Sequence, residues 1–580
     1  MDLALEMNSS GDQFHLITMR RGPGRTSAIL EGRMEVGGKA QGLLSARQAL
    51  EGLNPGDFPG IKVDIPVMTV LGVSVFDAFM ERNQLMEIAL SNLSDDRIAH
   101  AFQRADLPFE VVGELYHLVE QWSMPLAIRS SGLLEDTTQR PFAGVYLTKM
   151  IPNHSFGPDT RFQKLVEAIK FVWASTYFRI AKDYCIATGL SINDEKMAVV
   201  IQEMVGKRYR DRFYPELSGV ARSYNYYPVK PARPQDGVVS LALGLGKTIV
   251  DGGKSWTYSP LFPQIPPPYK SIDDLIDETQ TEFWAINMGE PPEYNPIKET
   301  EYMLLENLRT AEKDGTLNHL VSTYEPQSER LSIGNGVKGP RALTFAPLLL
   351  LKNIPFNPLI TQLLSEFEAA LGFPVEIEFA MTFDPHCFRL LQVRPMVTPT
   401  GHLQISSEDL VDQQTVIASE TVLGNGTLEE IEDIVYVIPS RFDLSLTRQI
   451  ADELEKHNHT LVMAKQPYIL IVFGRLGTLD PWLGIPVTWG QICGASVIVE
   501  ATQENVKVEL SQGSHYFHNI INLGVKYFSM PFSSPYRVNW SWLEKQRVVQ
   551  EGDCTRHVRV TPPLKVKVDG RSSRGIIYQA

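Results

Sequence analysis

The chain has 580 residues, 43% hydrophobic and 21% charged, a composition of folded globular proteins and a length beyond one ordinary core. Its formal net charge of −14 argues against a general nucleic-acid binder, whose footprint is a basic excess, while leaving room for a local basic cleft. Four scattered cysteines (Cys185, Cys387, Cys493, Cys554) form no CxxC pair, which disfavours a zinc site or a disulfide framework and fits a reducing cytoplasm.

No stretch approaches the ~18 uninterrupted apolar residues of a membrane span, and the first residues lack the pattern of a signal peptide. Residues 1–30 read as a loose N-terminal segment. From "MEVGGKAQGLLSARQAL" a glycine turn leads into a helix with Leu43, Leu44, Ala46 and Leu50 on one side. "FPGIKVDIPVMTVLGVSVFDAFMERN" predicts a strand and then a helix, and "FQKLVEAIKFVWASTYFRIAKDYC" one long amphipathic helix. "EKMAVVIQEMV" predicts a buried strand, and "DGVVSLALGLGKTIVDGGKSW" a strand broken by glycine turns.

"PLFPQIPPPYKS" is a proline-rich loop or subdomain border, and "TQLLSEFEAALG" a helix that glycine ends. "FPVEIEFAMTFDPHCFRLLQVRP" predicts two strands joined at Asp384-Pro385. The main boundary falls near residue 400. Beyond it, "SLTRQIADELEKHN" is helical and "PYILIVF" and "ASVIVEA" are strand-like.

Three stretches carry chemistry. In "EVGGKAQGL", Gly37 and Gly38 permit close backbone approach and Lys39 adds a cation at a helix start, an arrangement that suits a phosphate group. A turn with a solvated lysine would have the same sequence. In "RSSGLLED", Arg129 is able to grip phosphate oxygens bidentately with Ser130 and Ser131 beside it, and the Phe142-Ala143-Gly144 turn follows. The alternative is a strand end with a salt bridge from Arg129 to Glu135 or Asp136.

The third stretch is the "VEIEFAMTFDPHCFRLLQVRP" hairpin. Alternation puts Glu376 and Glu378 on one face of the first strand, and Gln392 and Arg394 on one face of the second. If those faces coincide, carboxylate and amide oxygens suited to Mg²⁺ lie beside a guanidinium suited to phosphate. A solvated cross-strand Glu-Arg pair is the bland alternative. "GLGK" lacks the full GxxxxGK[ST] spacing and is not a Walker loop.

The colinear series GGK, RSS…ED…FAG, "VWASTYFRIAKDYC", "VVIQEMV", "SGVARS", "GLGKTIVDGG" and "IEFA…LLQVRP" resembles the ATP-grasp nucleotide-binding domain of the phosphoenolpyruvate synthase and pyruvate phosphate dikinase family. The resemblance covers roughly residues 31–397. It implies an α/β fold with ATP-grasp subdomains at 31–210 and 211–400, while the helical and strand-like runs beyond the resemblance read as a C-terminal α/β region at 401–580. It also implies ATP and Mg²⁺ as cofactors. Lys39 and Arg129 would hold the phosphates under the Phe142-Ala143-Gly144 turn, and Gln202, Glu203, Met204 and Val205 would line the adenine cleft with backbone groups reading the base. Glu378 and Gln392 would hold the metal, joined by Glu376 in the reading from strand alternation, and Arg394 would face the γ- or β-phosphate.

Two departures are mild: RSSGLLED stands where relatives read RSSATAED, and Q-V-R-P where they read Q-T-R-P. A larger one is the lack of the GG-x-T-S-H-A-A pattern that marks the family's phosphohistidine domain, with no room for its large substrate barrel. His515 in "GSHYFHNIINLG", at a predicted helix start, is a substitute carrier, or else a structural histidine beside an N-cap. His518 is a weaker candidate. His457 and His459 read as solvated helix-end residues, and Gly474, Arg475 and Gly477 as a second glycine-arginine turn that binds an anion, docks on the cleft or is a plain loop. The expected protein is a cytoplasmic ATP-dependent phosphotransferase with an unidentified acceptor, or else a nucleotide-binding regulatory or scaffold protein.

Overall fold

The computed structural model describes residues 16–19, 35–52, 58–135, 144–267, 269, 271–396, 405–411, 414–478, 484–503, 516, 520, 523–570 and 572–579. Among them, an antiparallel sheet runs in the order Leu16–Met19, Met68–Leu71, Met197–Glu203, Leu126–Gly132, Thr148–Ile151. Its second strand thus pairs with a segment expected to be loose. Both "VMTVL" and "MAVVIQE" are runs of β-branched and apolar residues that suit strands covered on both faces.

The second large sheet runs Trp256–Tyr258, Val238–Ala242, Leu217–Arg222, Val375–Phe383, His386–Pro395, Lys62–Asp64. The stretch predicted as one strand, "IKVDIPVMTVL", is therefore two, and each joins a different sheet across the Ile65-Pro66 bend. The helix Gly37–Glu51 lies against the strand His386–Pro395 because Gly42 has no side chain. A Cβ there would sit 2.3 Å from the Val393 carbonyl oxygen. The predicted glycine stop is also present: Gly372 follows the helix Phe356–Leu371 at φ +74°.

The single long helix predicted over residues 162–185 is two helices, Pro158–Ser175 and Arg179–Thr188. Thr176, Tyr177 and Phe178 are poor helix formers, and Phe178 is extended (φ −68°, ψ 158°), which turns the chain. The redirected second helix meets the C-terminal region. There Arg179 Nη1 lies 3.2 Å from Glu455, the Asp183 carbonyl accepts from Cys493 Sγ at 3.6 Å, and Ile180 packs on Gly490.

That region is built on a mixed sheet, in the order Thr415–Ser419, Arg574–Gln579, Thr555–Asp569, Gly426–Val437, Tyr468–Phe473, Ala495–Ala501, Lys526–Met530, Val422–Leu423. The helix Thr447–Met463 covers it. One contiguous hydrophobic core joins this sheet to Phe76, Phe79, Phe102, Trp173, Tyr177 and Tyr184 on the helices over the first sheet. A second core lies between the Gly37–Glu51 helix and the six-stranded sheet. No helix among the described residues is long and apolar enough to cross a membrane.

Candidate nucleotide and cation site

The strand Leu126–Gly132 ends where the helix Gly37–Glu51 begins, and Ser131 staples the two. Its Oγ donates to Val36 O at 2.7 Å and accepts from Ala40 N at 3.1 Å. Gly37, at φ +74°, is obligatory here, since a Cβ would lie 1.8 Å from Ser131 O. This close approach sets Lys39 beside Ser130, with Nζ donating to Ser130 Oγ at 3.1 Å and pairing with Glu135. Glu135 is buried and also accepts from Gly132 N (3.1 Å) and Ser130 Oγ (3.2 Å). The lysine is therefore held in place, not solvated.

The two hairpin faces coincide: Glu376 stands opposite Arg394, and Glu378 opposite Gln392. A bulge after Glu378 leaves Leu391 as the extra residue of its strand. Its carbonyl accepts from Arg129 Nη1 at 2.7 Å. Arg129 Nη2 donates to Gln392 Oε1 at 2.6 Å and to Glu378 Oε2 at 3.2 Å. Arg129 thus crosses from the first sheet to the second and does not pair with Glu135 as the bland reading would have it.

Glu376 sits deeper, at 0% exposure. It accepts from Arg222 Nε at 2.5 Å and Arg394 Nε at 2.6 Å, and the terminal nitrogens of both guanidinia pair with it as well. With both oxygens engaged by buried arginines, it differs from the cation ligand that alternation suggested. Glu378 and Gln392 do fit a hard cation. Their carboxylate and carboxamide oxygens meet at one nitrogen of Arg129, a donor set that suits Mg²⁺ when phosphate oxygens complete the shell.

A small buried apolar cluster adjoins these strands: Ala127, Met204, Phe213, Leu245, Ile286 and Met288, with Met150, Trp284 and Met303 packed against it. Gln202 is buried, its Oε1 3.5 Å from Arg129 Nη1. The amides of Glu203 and Met204 are taken by Val67 O (2.9 Å) and Pro125 O (2.8 Å), so these two N–H groups are spent within the protein. Val205 follows, half-buried. Lys247 of the "GLGK" turn starts a short helix and pairs with Asp251 (2.8 Å) and Glu299 (3.6 Å), which raise its pKa against the lowering effect of burial.

Residues 33–410 match the family described as the pyruvate phosphate dikinase, AMP/ATP-binding domain. The chain belongs to this family. It is also similar to rifampicin phosphotransferase of Bacillus cereus, 27% identical over 176 residues, which are 30% of this chain and 17% of that protein. The chain thus matches well under two thirds of that relative's length.

On this dikinase-family scaffold, Gly37, Gly38 and Lys39 open the helix Gly37–Glu51, Arg129 and Ser130 lie on the strand Leu126–Gly132 and Gln202 on the paired strand Met197–Glu203, while Glu378, Gln392 and Arg394 lie on the hairpin that Arg129 reaches. Gly144 is exposed at φ +68°. Phe142, Ala143, His515 and His518 lie outside the described residues. His457 is a correction: it is buried, not solvated. Its Nε2 is 3.1 Å from Thr555 Oγ1, which donates to Glu453 at 2.6 Å. Burial, with His557 nearby, lowers the His457 pKa to about 4.

Sequence reasoning missed Arg222, although "SGVARS" was among the colinear stretches. It also missed the structural part of Glu135. Glu195 was overlooked too: it accepts from Tyr146 Oη at 2.9 Å beneath Gly132, and burial raises its pKa to about 7. In sequence, "NDEKM" looks like an exposed turn, and nothing local signals that Glu195 is enclosed.

Proposed function

We propose that the chain is an ATP-dependent phosphotransferase that binds Mg-ATP in the cleft between the two large sheets and passes a phosphoryl group to a histidine or another acceptor. The bonding of Arg129 to Glu378 and Gln392 across the two sheets, with Lys39 fixed at the neighbouring Ser130 and an apolar cluster beside them, supports this reading. The base would lie against that apolar cluster. Lys39 and Arg129 would hold the phosphates, Arg129 in a fork geometry that orients them for in-line transfer. Arg394, locked against Glu376, would present a fixed positive field at the floor of the cleft and stabilise developing charge. Glu378 and Gln392 would hold Mg²⁺, whose chemistry there would be neutralisation of phosphate charge.

We further assign residues 31–210 and 211–400 to the two halves of the nucleotide-binding unit and 401–580 to a C-terminal α/β region, and place the protein in the cytoplasm, in keeping with four free thiols. The acceptor would be His515, a histidine of another protein, or a small molecule. The lack of a T-S-H carrier motif favours a second reading, a binder that holds ATP without turnover.

Incubation with Mg²⁺ and ATP labelled at the β or the γ position separates these readings. Acid-labile, base-stable label on the protein, absent in Lys39→Ala, would support transfer to histidine. Its loss in His515→Ala would name the carrier. ATP that binds Lys39-dependently but is never cleaved would leave the binder.

A further inference from the structure

We propose that Arg129 is a built-in occupant of the cation site, so that a divalent cation binds only together with nucleotide phosphates. This inference rests on the nucleotide-and-cation reading above and deepens it.

One nitrogen of Arg129 holds both oxygens assigned to the metal, Gln392 Oε1 at 2.6 Å and Glu378 Oε2 at 3.2 Å. A guanidinium and a divalent cation cannot share them, because like charges a few ångströms apart in a partly buried site repel strongly. Arg129 is also anchored by its other terminal nitrogen to the Leu391 carbonyl that the bulge turns out, and its side chain is 13% exposed. It is therefore not a loose surface cation that a metal brushes aside.

The surrounding charge acts in the same direction. Lys39 and Glu135 cancel. Among the described residues, Arg129, Arg222 and Arg394 face Glu376 and Glu378, so a metal arriving at Glu378 meets guanidinia already paired with these carboxylates. A polyphosphate changes both terms. It supplies several negative charges, and it offers Arg129 charge-assisted bidentate bonds that replace those to Glu378 and Gln392. The side chain that blocks the metal is the one that the phosphates recruit, and its departure exposes the two oxygens.

The test is Mn²⁺ binding to the full chain, read as loss of the free-ion EPR signal. Without nucleotide, wild type should bind Mn²⁺ at this site no better than Glu378→Gln does. With a non-hydrolysable ATP analogue it should gain one tight site. Arg129→Ala without nucleotide should bind Mn²⁺ at least about tenfold more tightly than wild type, the scale of one charge-assisted interaction. Arg129→Ala/Glu378→Gln should lose that gain.

Circular dichroism and melting identify a misfolded variant, and Arg129→Lys, a point charge that reaches fewer partners, gives an intermediate check. Equal Mn²⁺ affinity of wild type and Arg129→Ala without nucleotide would overturn the proposal. Nucleotide binding is measured separately with a fluorescent ATP analogue. Its failure would refute the nucleotide reading, while the nucleotide-free comparison would still decide the role of Arg129.

Discussion

Replacing Glu376 by glutamine discriminates between a structural and a metal-binding carboxylate. Glu376 is fully buried and accepts from two guanidinia that are each only 2% exposed. Removing its charge takes from Arg222 and Arg394 the buried carboxylate that both grip. Breaking a buried pair by removing one partner costs about 3–5 kcal/mol, a large part of the ~5–15 kcal/mol that holds a domain together. At about 2–4 °C per kcal/mol for a unit of 150–250 residues, the first melting transition should fall by between about 6 and 20 °C. The assay is differential scanning calorimetry without nucleotide or metal, beside Glu378→Gln, whose carboxylate is 13% exposed and bonded to Arg129, and which should lower the transition by less than Glu376→Gln does. A Glu376→Gln protein that melts within about 2 °C of wild type would refute the assignment, since only a solvent-screened pair has so small an effect.

The remaining predictions address packing and pH. Gly42→Ala places a methyl group against Val393 O, so the Gly37–Glu51 helix must move off the hairpin; melting should drop and ATP affinity should fall at least about tenfold as Lys39 is displaced. Burial pushes the Glu500 carboxyl up from 4.5 to about 7, where it accepts from Leu476 N at 2.9 Å and Tyr527 Oη at 2.6 Å. Its folded pKa is raised, so its contribution is fully present below pH 4.5 and is lost as pH rises through about 7. Glu500→Gln should remove up to about 3 kcal/mol of that loss, seen in urea unfolding at pH 5 and 8. His457 has the opposite sign: its pKa is depressed to about 4, so stability is present above 6.5 and falls with pH toward 4, a slope that His457→Gln should flatten.

Much of the cleft was legible because its parts are local. Glycine before Lys39, a strand that carries Arg129 (though it runs on to Gly132 and does not end at the arginine) and a two-residue alternation on the hairpin are each short-range signals, and the hairpin register follows from a tight turn. Partner choice was not legible. That Arg129 reaches Gln392 while Glu135 takes Lys39 depends on how two sheets separated by more than 200 residues are brought together. The break at Thr176–Phe178 was missed because apolar spacing continues across it, and periodicity reports burial on both helices without reporting their change of direction. His457 looked solvated because its helix is polar there, yet the strand Thr555–Asp569 closes over that turn.

The core shared by the C-terminal sheet and the helices over the first sheet has a practical meaning for dissection of the gene. A stop codon near residue 400 would strip Glu455, Gly490 and Cys493 from the helix Arg179–Thr188 and cut through the shared core, exposing a wide greasy scar. A truncated fragment would therefore clump before it could report on ATP. The seam at residue 400 is a boundary in the text of the chain, and no cleavage line in its solid.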